Sequence, residues 1–300
     1  MLDLGARLPA EAIVMPSKDK SPYAAAKLPP RPKDLTRIAT WNINSVRLRM
    51  PLLAKLAQAT DADVICLQET KATNDVFPAA AIAELGYPHQ HIQGEKGYNG
   101  VAIVSRLPLS GQGRRLWAER EDSRHVEAAL PNGIEIHCVY VPAGGDVADP
   151  AVNPKFEHKL RFLDHLAEPW NTNDSRAARV MVGDLNVAPL ETDVWSHKQL
   201  LDVVSHTPAE TTRFAAILAS HGWIDALRHL FPEPQQIYTW WSYRNRDWRA
   251  SDRGRRLDHV LLSPPLLERL RAIYVLKEAR DWPQASDHVP VVVDLSQTRR

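Results

Sequence analysis

The run "VMVGDLN", residues 180–186, passes within three positions from a buried-type strand to a carboxylate and a carboxamide. In extended chain, residues two apart share a face, so Asp184 and Asn186 are expected to project side by side. A Gly-Asp turn closing a strand explains that pair when it is taken alone. It does not explain the other apolar runs, which start or stop in the same way. Asn42 and Asn44 close "ATWNIN", Glu69 closes "DVICLQE" and Tyr140 lies in "HCVYVP"; Asp258 opens "LDHVLL", and Asp287 and His288 open "SDHVPVVV". Oxygen-bearing side chains without thiolates suit a hard divalent cation such as Mg²⁺ or Mn²⁺. A histidine among carboxylates, with tyrosine and asparagine, suits the oxygens of a phosphate group.

Other hydrolytic chemistries lack their signatures. The chain has no GxxxxGK[ST] phosphate loop, no HExxH zinc helix and no GxSxG nucleophile elbow. Metal-assisted hydrolysis of a phosphodiester or phosphomonoester is the best remaining fit.

Groups spread from Asn42 to His288 act together only if the fold gathers them. Eight apolar runs read as strands: residues 37–43, 63–69, 100–105, 125–130, 134–141, 179–186, 257–263 and 288–295. Helical patterns occupy 50–60, 153–171 and 212–222. Interleaved strands and helices, with hairpin-like strand pairs, predict an α/β fold with mixed sheets. Strand ends are where such frameworks present functional groups. No fixed-period repeat or low-complexity tract appears, and no Pro- or Gly-rich linker divides residues 37–296. The expectation is one catalytic domain, 36–300, after a flexible extension, 1–35, that contains "KLPPRPKD" and is lengthened by an early start codon.

An apolar fraction of 44% in 300 residues is enough for a full core. The formal net charge is only +1, so contact with nucleic acid must come from a local patch. The cationic, aromatic-rich segment is "YTWWSYRNRDWRASDRGRR", 238–256, where Trp240, Trp241, Tyr243 and Trp248 stand among six arginines. It reads either as a solvated loop with aromatic anchors or as a groove contact. In the second case arginines meet phosphates and an aromatic ring walls a pocket or wedges a duplex. Cys66 and Cys138 lie far apart inside apolar runs and read as reduced core thiols of a cytoplasmic protein. No apolar run approaches the roughly 18 residues that span a membrane, and the N-terminus lacks a signal-peptide pattern. His89, His91, His165 and His229 read as ordinary surface or packing residues.

In order, "ATWNINSVRLR", "DVICLQETK", "YNGVAIVSR", "YVPAGG", "GDLNVAP", "RRLDHVLLS" and "SDHVPV" resemble the motifs of the exonuclease III-type apurinic/apyrimidinic endonucleases, within the exonuclease–endonuclease–phosphatase superfamily. The resemblance runs from residue 37 to about 296, and "ETKATNDVFP" and "LGYPHQH" match the DNA-repair branch better than the lipid or inositol phosphatase branches. It implies a DNase I-like four-layer α/β sandwich: two packed mixed sheets flanked by helices, with the site at one edge. It also implies Mg²⁺-dependent cleavage 5′ to abasic sites in duplex DNA by a monomer, with 3′→5′ exonuclease or 3′-phosphodiesterase activity at 3′ ends.

Carried over by position, Glu69 is the main metal ligand, assisted by Asn42, Asn44 and Asp287. Asp184 orients or deprotonates the attacking water, and Asn186 holds that water or a phosphate oxygen. His288, held by Asp258, faces the phosphate's developing charge, and Tyr140 donates to phosphate or leaving group. Crowding with phosphate should raise the pKa of Asp184, and Asp258 should keep His288 cationic. Trp240 and Leu257 line the abasic pocket, with a contact from Arg213. Two positions depart from the pattern: Arg255 replaces a Trp or Leu of relatives, and Ala143 replaces an Asn or Gln. The alternatives are a small-molecule or lipid phosphatase of the same superfamily and a non-catalytic binder of damaged DNA.

Overall fold

Two strand–helix–strand units organise the molecule, which a computed structural model describes over residues 21–24, 27–168 and 177–297. In the first, β1 (Leu35–Asn42) and β2 (Val64–Gln68) pair in parallel, joined by α1 (Met50–Thr60). Every residue of both strands is buried, as expected for strands covered on both faces. Pro51 sits in the first turn of α1, where its missing N–H costs nothing, and Asp61 ends the helix in a left-handed conformation.

After α2 (Ala79–Glu84), the chain adds β3 (His89–Gln93), β4 (Val101–Ser105), β5 (Ser110–Gly113) and β6 (His125–Ala129). The second unit follows: β7 (Ile134–Tyr140), α3 (Pro154–Ala167) and β8 (Ala178–Asp184), again a parallel pair. Asn153 caps α3 by accepting from the Lys155 N–H. Then come α4 (His197–Leu200), α5 (Pro208–His221), β9 (Ile224–Asp225), α6 (Ala226–Leu230), β10 (Trp240–Trp241), α7 (Trp248–Ser251) and β11 (Gly254–Arg255). The chain closes with β12 (Asp258–Leu262), α8 (Pro264–Leu267), β13 (Leu270–Val275) and β14 (Val291–Ser296).

One sheet has the order β13-β14-β1-β2-β4-β3, the other β5-β6-β7-β8-β12-β9; β10 and β11 form a separate ribbon. Cys66, Cys138 and Val180 belong to one buried apolar cluster that fills the space between the sheets, and Trp41, Leu67 and Val292, on the opposite face of the first sheet, join it with Leu53 and Leu56 of α1. Phe162 and Leu163 of α3 and Phe214 of α5 pack with Met181 and Leu261 in a second cluster on the other sheet. These are the four layers expected from sequence. Because both central pairs are parallel, β1, β2, β7 and β8 all deliver their C-terminal ends to one edge. Strand β12 is antiparallel to β8 and starts there, with Asp258 opposite Asp184.

Several boundaries differ from the sequence reading. Strand β14 begins at Val291, because Pro290 cannot donate to a ladder; Asp287 and His288 therefore sit in the loop before it. Helix α5 begins at Pro208, four residues earlier than expected, because Thr207 and Glu210 form a capping box. Strand β3, "HQHIQ", is half-buried throughout and lacks an apolar alternation, so no pattern announced it. Helix α3 ends at Ala167, and the remainder of the predicted 153–171 pattern lies mostly outside the described residues. The same holds for residues 1–20 and 25–26 of the N-terminal extension. Its described part packs on the domain: Tyr23 bridges Val275, and Leu28 is buried. Among the described residues no helix is long and apolar enough to cross a membrane.

Candidate active site

Strand β8 can approach β7 closely because of Gly183. Its φ is +144°, and a Cβ there would lie 1.9 Å from the Val139 carbonyl oxygen. The next residue, Asp184, is buried and flanked in register by Tyr140 of β7 and Asp258 of β12. Asn186 is beside Asp184 as expected, but not through extended chain. The strand stops at Asp184, and Asn186 turns into the left-handed region at φ 51°. Its backbone N–H then donates to Asp184 Oδ1 at 2.9 Å, while its amide donates to Asp184 Oδ2 at 3.1 Å and to the Val141 carbonyl at 2.9 Å. Asn186 is thereby fixed by an Asx-type turn.

Asn42, at the end of β1, ties the two sheets together. Its amide donates to Glu69 Oε1 and to Asp184 Oδ2, both at 2.9 Å. The Tyr140 hydroxyl donates to the same Glu69 Oε1 at 2.8 Å. The other Glu69 oxygen lies 2.8 Å from the Lys71 ammonium, which also donates to Asn44 Oδ1 at 2.6 Å. Asn44 in turn donates to Asp287 Oδ1 at 3.2 Å, and the Trp240 indole N–H donates to Asp287 Oδ2 at 2.9 Å. His288 Nδ1 is 2.9 Å from Asp258 Oδ2, and its Nε2 is 3.6 Å from Asp184 Oδ2. Asp258 Oδ1 is buried without a hydrogen-bond partner among the described residues.

The charges follow from this packing. Burial would pull the His288 imidazole down, but the Asp258 and Asp184 carboxylates outweigh it and raise the pKa to about 10, so the ring is a cation at neutral pH. Burial pushes Asp184 up to about 7, opposed by His288 and reinforced by Asp258. Glu69 is held below the usual range: burial raises it, but the Lys71 ammonium and the Asn42 amide prevail. Burial and the nearby Glu69 and Asp184 charges drive the Tyr140 hydroxyl well up, so it stays protonated and can donate.

Does this set fit a divalent cation? Lys71 Nζ lies where Glu69 Oε2 and Asn44 Oδ1 converge, so the geometry already holds a positive charge between oxygens. Asn42 Oδ1, which accepts from the Asn44 N–H, and Asp287, which accepts from the Asn44 amide, add oxygen donors next to Asn44 of the kind hard cations take. The residues present fit such an ion, provided Lys71 gives way. Asp184, Asp258 and His288 also bring ligand atoms within 4.8 Å of one another. There the imidazole is cationic and already bonded to Asp258, which leaves it unsuited to ligation.

Part of this set opens onto a cleft of about 920 Å³, with Asn42, Asn44, Tyr140 and Asp258 set behind its lining. Glu69, Asp184, Asn186, Asp287 and His288 line it, together with Trp240, Leu257, Arg255 and Ala143. Arg213 does not: it is tied to Asp164 at 2.8 Å on the helical face and does not line the cleft. The cationic segment divides in the same way. Trp241 and Trp248 are buried in the core, and Arg256 is fully buried between Asp193 and Asp225. Trp240, Arg244, Arg253 and Arg255 face the cleft.

Sequence reasoning missed two lysines. Lys71 sits two residues beyond Glu69 in "ETK", and that spacing was the available signal. Lys159 is a fully buried cation on α3; it donates to the Asn186 carbonyl at 2.7 Å and the Ala143 carbonyl at 3.3 Å and pairs with Glu210. It pins two site turns to α5, and only its place on a buried helical face could have marked it.

The family model described as "Endonuclease/Exonuclease/phosphatase family" matches residues 39–288. Exodeoxyribonuclease III of Haemophilus influenzae is 28% identical over 267 residues, covering 85% of this chain and 98% of that protein. Among solved structures, an AP endonuclease from Archaeoglobus fulgidus is similar at a TM-score of 0.80 and 34% identity, covering 86% of this chain and 98% of that one. The 3′ phosphatase NExo from Neisseria, bound to a product DNA hairpin, gives a TM-score of 0.80 at 32% identity, with coverage of 87% and 99%.

Proposed function

The chain belongs to the endonuclease/exonuclease/phosphatase family, and from that premise we propose a DNA-repair nuclease that hydrolyses the phosphodiester 5′ to abasic sites in duplex DNA and trims 3′ ends. The observation that carries this reading is the cleft itself. A buried carboxylate with a raised pKa, a buried imidazolium and a carboxylate among oxygen donors all meet at one sheet edge.

In the proposed reaction, a water oxygen bonds to phosphorus as the bond to the upstream O3′ breaks; O3′ takes up a proton from solvent, leaving a 3′-hydroxyl and a 5′-phosphate. Asp184 accepts the water's proton. A pKa near 7 lets it be ionised before attack yet basic enough to take that proton. Asn186, with its amide on Asp184, sits where it can also hold the water. The His288 cation, fixed by Asp258, faces the charge that grows on the phosphate oxygens; donors of this kind are worth about 10²–10³ in rate each. The Tyr140 hydroxyl donates to Glu69, so turning to a phosphate or leaving oxygen requires giving up that bond. A bound Mg²⁺ or Mn²⁺, held by Glu69 with Asn42, Asn44 and Asp287, would supply the positive charge that offsets two carboxylates beside a phosphate.

Residues 36–300 act as this catalytic unit, working as a monomer in the cytoplasm. Both thiols being buried is consistent with a reduced compartment. The test is product mapping on one duplex carrying a single abasic site. The expected result is one cut that leaves a 3′-hydroxyl and disappears with EDTA. Cleavage that survives EDTA, or release of phosphate only from small esters, would overturn the reading.

A further inference from the structure

Arg255 faces the cleft, yet neither the hydrolysis nor the core accounts for it. It stands cross-strand from Trp240 in the ribbon, with its guanidinium carbon 5.3 Å from the centre of that indole ring. Its Nη1 reaches the opposite wall and donates to the Val204 carbonyl at 2.9 Å and to Ser205 Oγ at 2.7 Å. Its Nε is buried with no hydrogen-bond partner among the described residues. The side chain therefore lies as a bar between the two walls. Leu257 forms an apolar floor nearby with Val194 and Leu200. Trp240 links the bar to the catalytic end, because its indole N–H donates to Asp287.

The proposed hydrolysis breaks the same phosphorus–O3′ bond in every substrate. What differs is the group beyond phosphorus. At an internal abasic site this is a neutral sugar with the strand continuing, which needs an apolar slot of its own size. At a blocked 3′ end there is nothing beyond the phosphate oxygens, which carry about −1.5 to −2 charge. A cationic guanidinium stacked on an indole in the cleft is a poor wall for the first and a ready partner for the second.

We propose that Arg255 is a specificity-determining residue: it fills the space a base-less sugar would enter and biases the cleft toward 3′-terminal phosphomonoesters over internal abasic sites. This rests on the nuclease reading above. It adds a substrate preference to that reading, and it can fail separately.

The test compares kcat/KM of the full chain with Mg²⁺ on two duplexes of one sequence, one holding an internal tetrahydrofuran abasic analogue and one ending in a 3′-phosphate at a gap. The parent should favour the 3′-phosphate. Arg255→Leu, which removes charge and opens space, should lower 3′-phosphate release and raise abasic incision by about tenfold each, moving the ratio about 100-fold. Arg255→Lys keeps a cation and should hold the parent's order of preference. A ratio that stays within about threefold in Arg255→Leu, or a parallel fall on both duplexes, would overturn the proposal. So would a lysine variant that behaves like the leucine one. If Arg255→Leu melts early, Arg255→Met serves in its place: it fills similar volume without charge and should lose 3′-phosphate release selectively, whereas undiminished release would overturn the proposal. A parent inactive on both duplexes with Mg²⁺ and with Mn²⁺ would instead remove the nuclease reading itself.

Discussion

Two clusters of three titratable side chains show how similar residues take opposite charge states. In the cleft, Asp184 and Asp258 enclose His288; on β6 and β7, His125 and His137 enclose Glu127. Two carboxylates around one imidazole outweigh burial and keep His288 cationic. With two imidazoles around one carboxylate, burial wins: it pulls His137 down and His125 far down. The surroundings reinforce the difference. The Arg115 backbone N–H donates to His125 Nδ1 at 2.8 Å, its guanidinium holds Glu127 at 3.2 Å, and Trp117 packs on the His125 ring at 4.6 Å. That N–H fixes an unprotonated nitrogen on His125. The second cluster is packed against these neighbours and keeps Glu127 half-buried, whereas the first is buried throughout, lines the cleft through Asp184 and His288 and leaves Asp258 Oδ1 without a partner among the described residues. Residue type alone does not make a site. The ratio of acids to bases, and an open side, decide it.

Substitutions can break this comparison, beginning with the largest effect. Glu69→Gln should remove the proposed main cation ligand and lower kcat by about 10³-fold or more, as should EDTA with the parent; activity assays across Mg²⁺ concentrations check both. His288→Gln should cost about 10²–10³ in kcat with little change in duplex affinity, read by single-turnover kinetics. The matching change in the second cluster, His137→Gln, should leave kcat within about twofold while lowering stability by about 1–3 kcal/mol, read by urea unfolding.

The smallest effect is a pH dependence. The hydrogen bonds from His137 and from the Arg115 guanidinium, opposed by burial, hold the Glu127 carboxyl down to about 2 from its ordinary 4.5. Its folded-state pKa is depressed, so its contribution to stability is complete above the ordinary value. That contribution shrinks as pH falls from about 4.5 and is lost through about 2. The difference in melting temperature between the parent and Glu127→Gln should therefore be largest near neutral pH and close as the solution is acidified. A difference independent of pH would detach Glu127 from the balance described here.

Much of the cleft was legible in the sequence, because Asn42, Glu69, Asp184, Asp258 and His288 each interrupt an apolar run at its end. Topology then brings such ends to one edge. The same reading placed all eight apolar strands but missed the short β5, β9, β10 and β11, as well as β3, whose polar residues face a half-buried layer, and β13, whose ladder is interrupted by a bulge between Leu270 and Ala272. It could not tell Trp240 from Trp241. Adjacent residues in a two-residue ribbon point to opposite sides, and only the fold shows which side is core. Arg213 was misplaced for a related reason, since its side of α5 is fixed by packing on α3. The "ETK" spacing marks Lys71 as a neighbour of Glu69, but it reaches that carboxylate through left-handed backbone at Glu69 and Lys71 themselves, which the spacing does not show.

The central claim is that buried Asp184 takes the proton of the attacking water. It is tested most directly by single-turnover cleavage of an abasic-site duplex by Asp184→Asn at saturating Mg²⁺, with duplex binding measured alongside. The account predicts binding within about threefold of the parent and cleavage slowed by about 10²–10⁴. Cleavage at the parent's rate would contradict it.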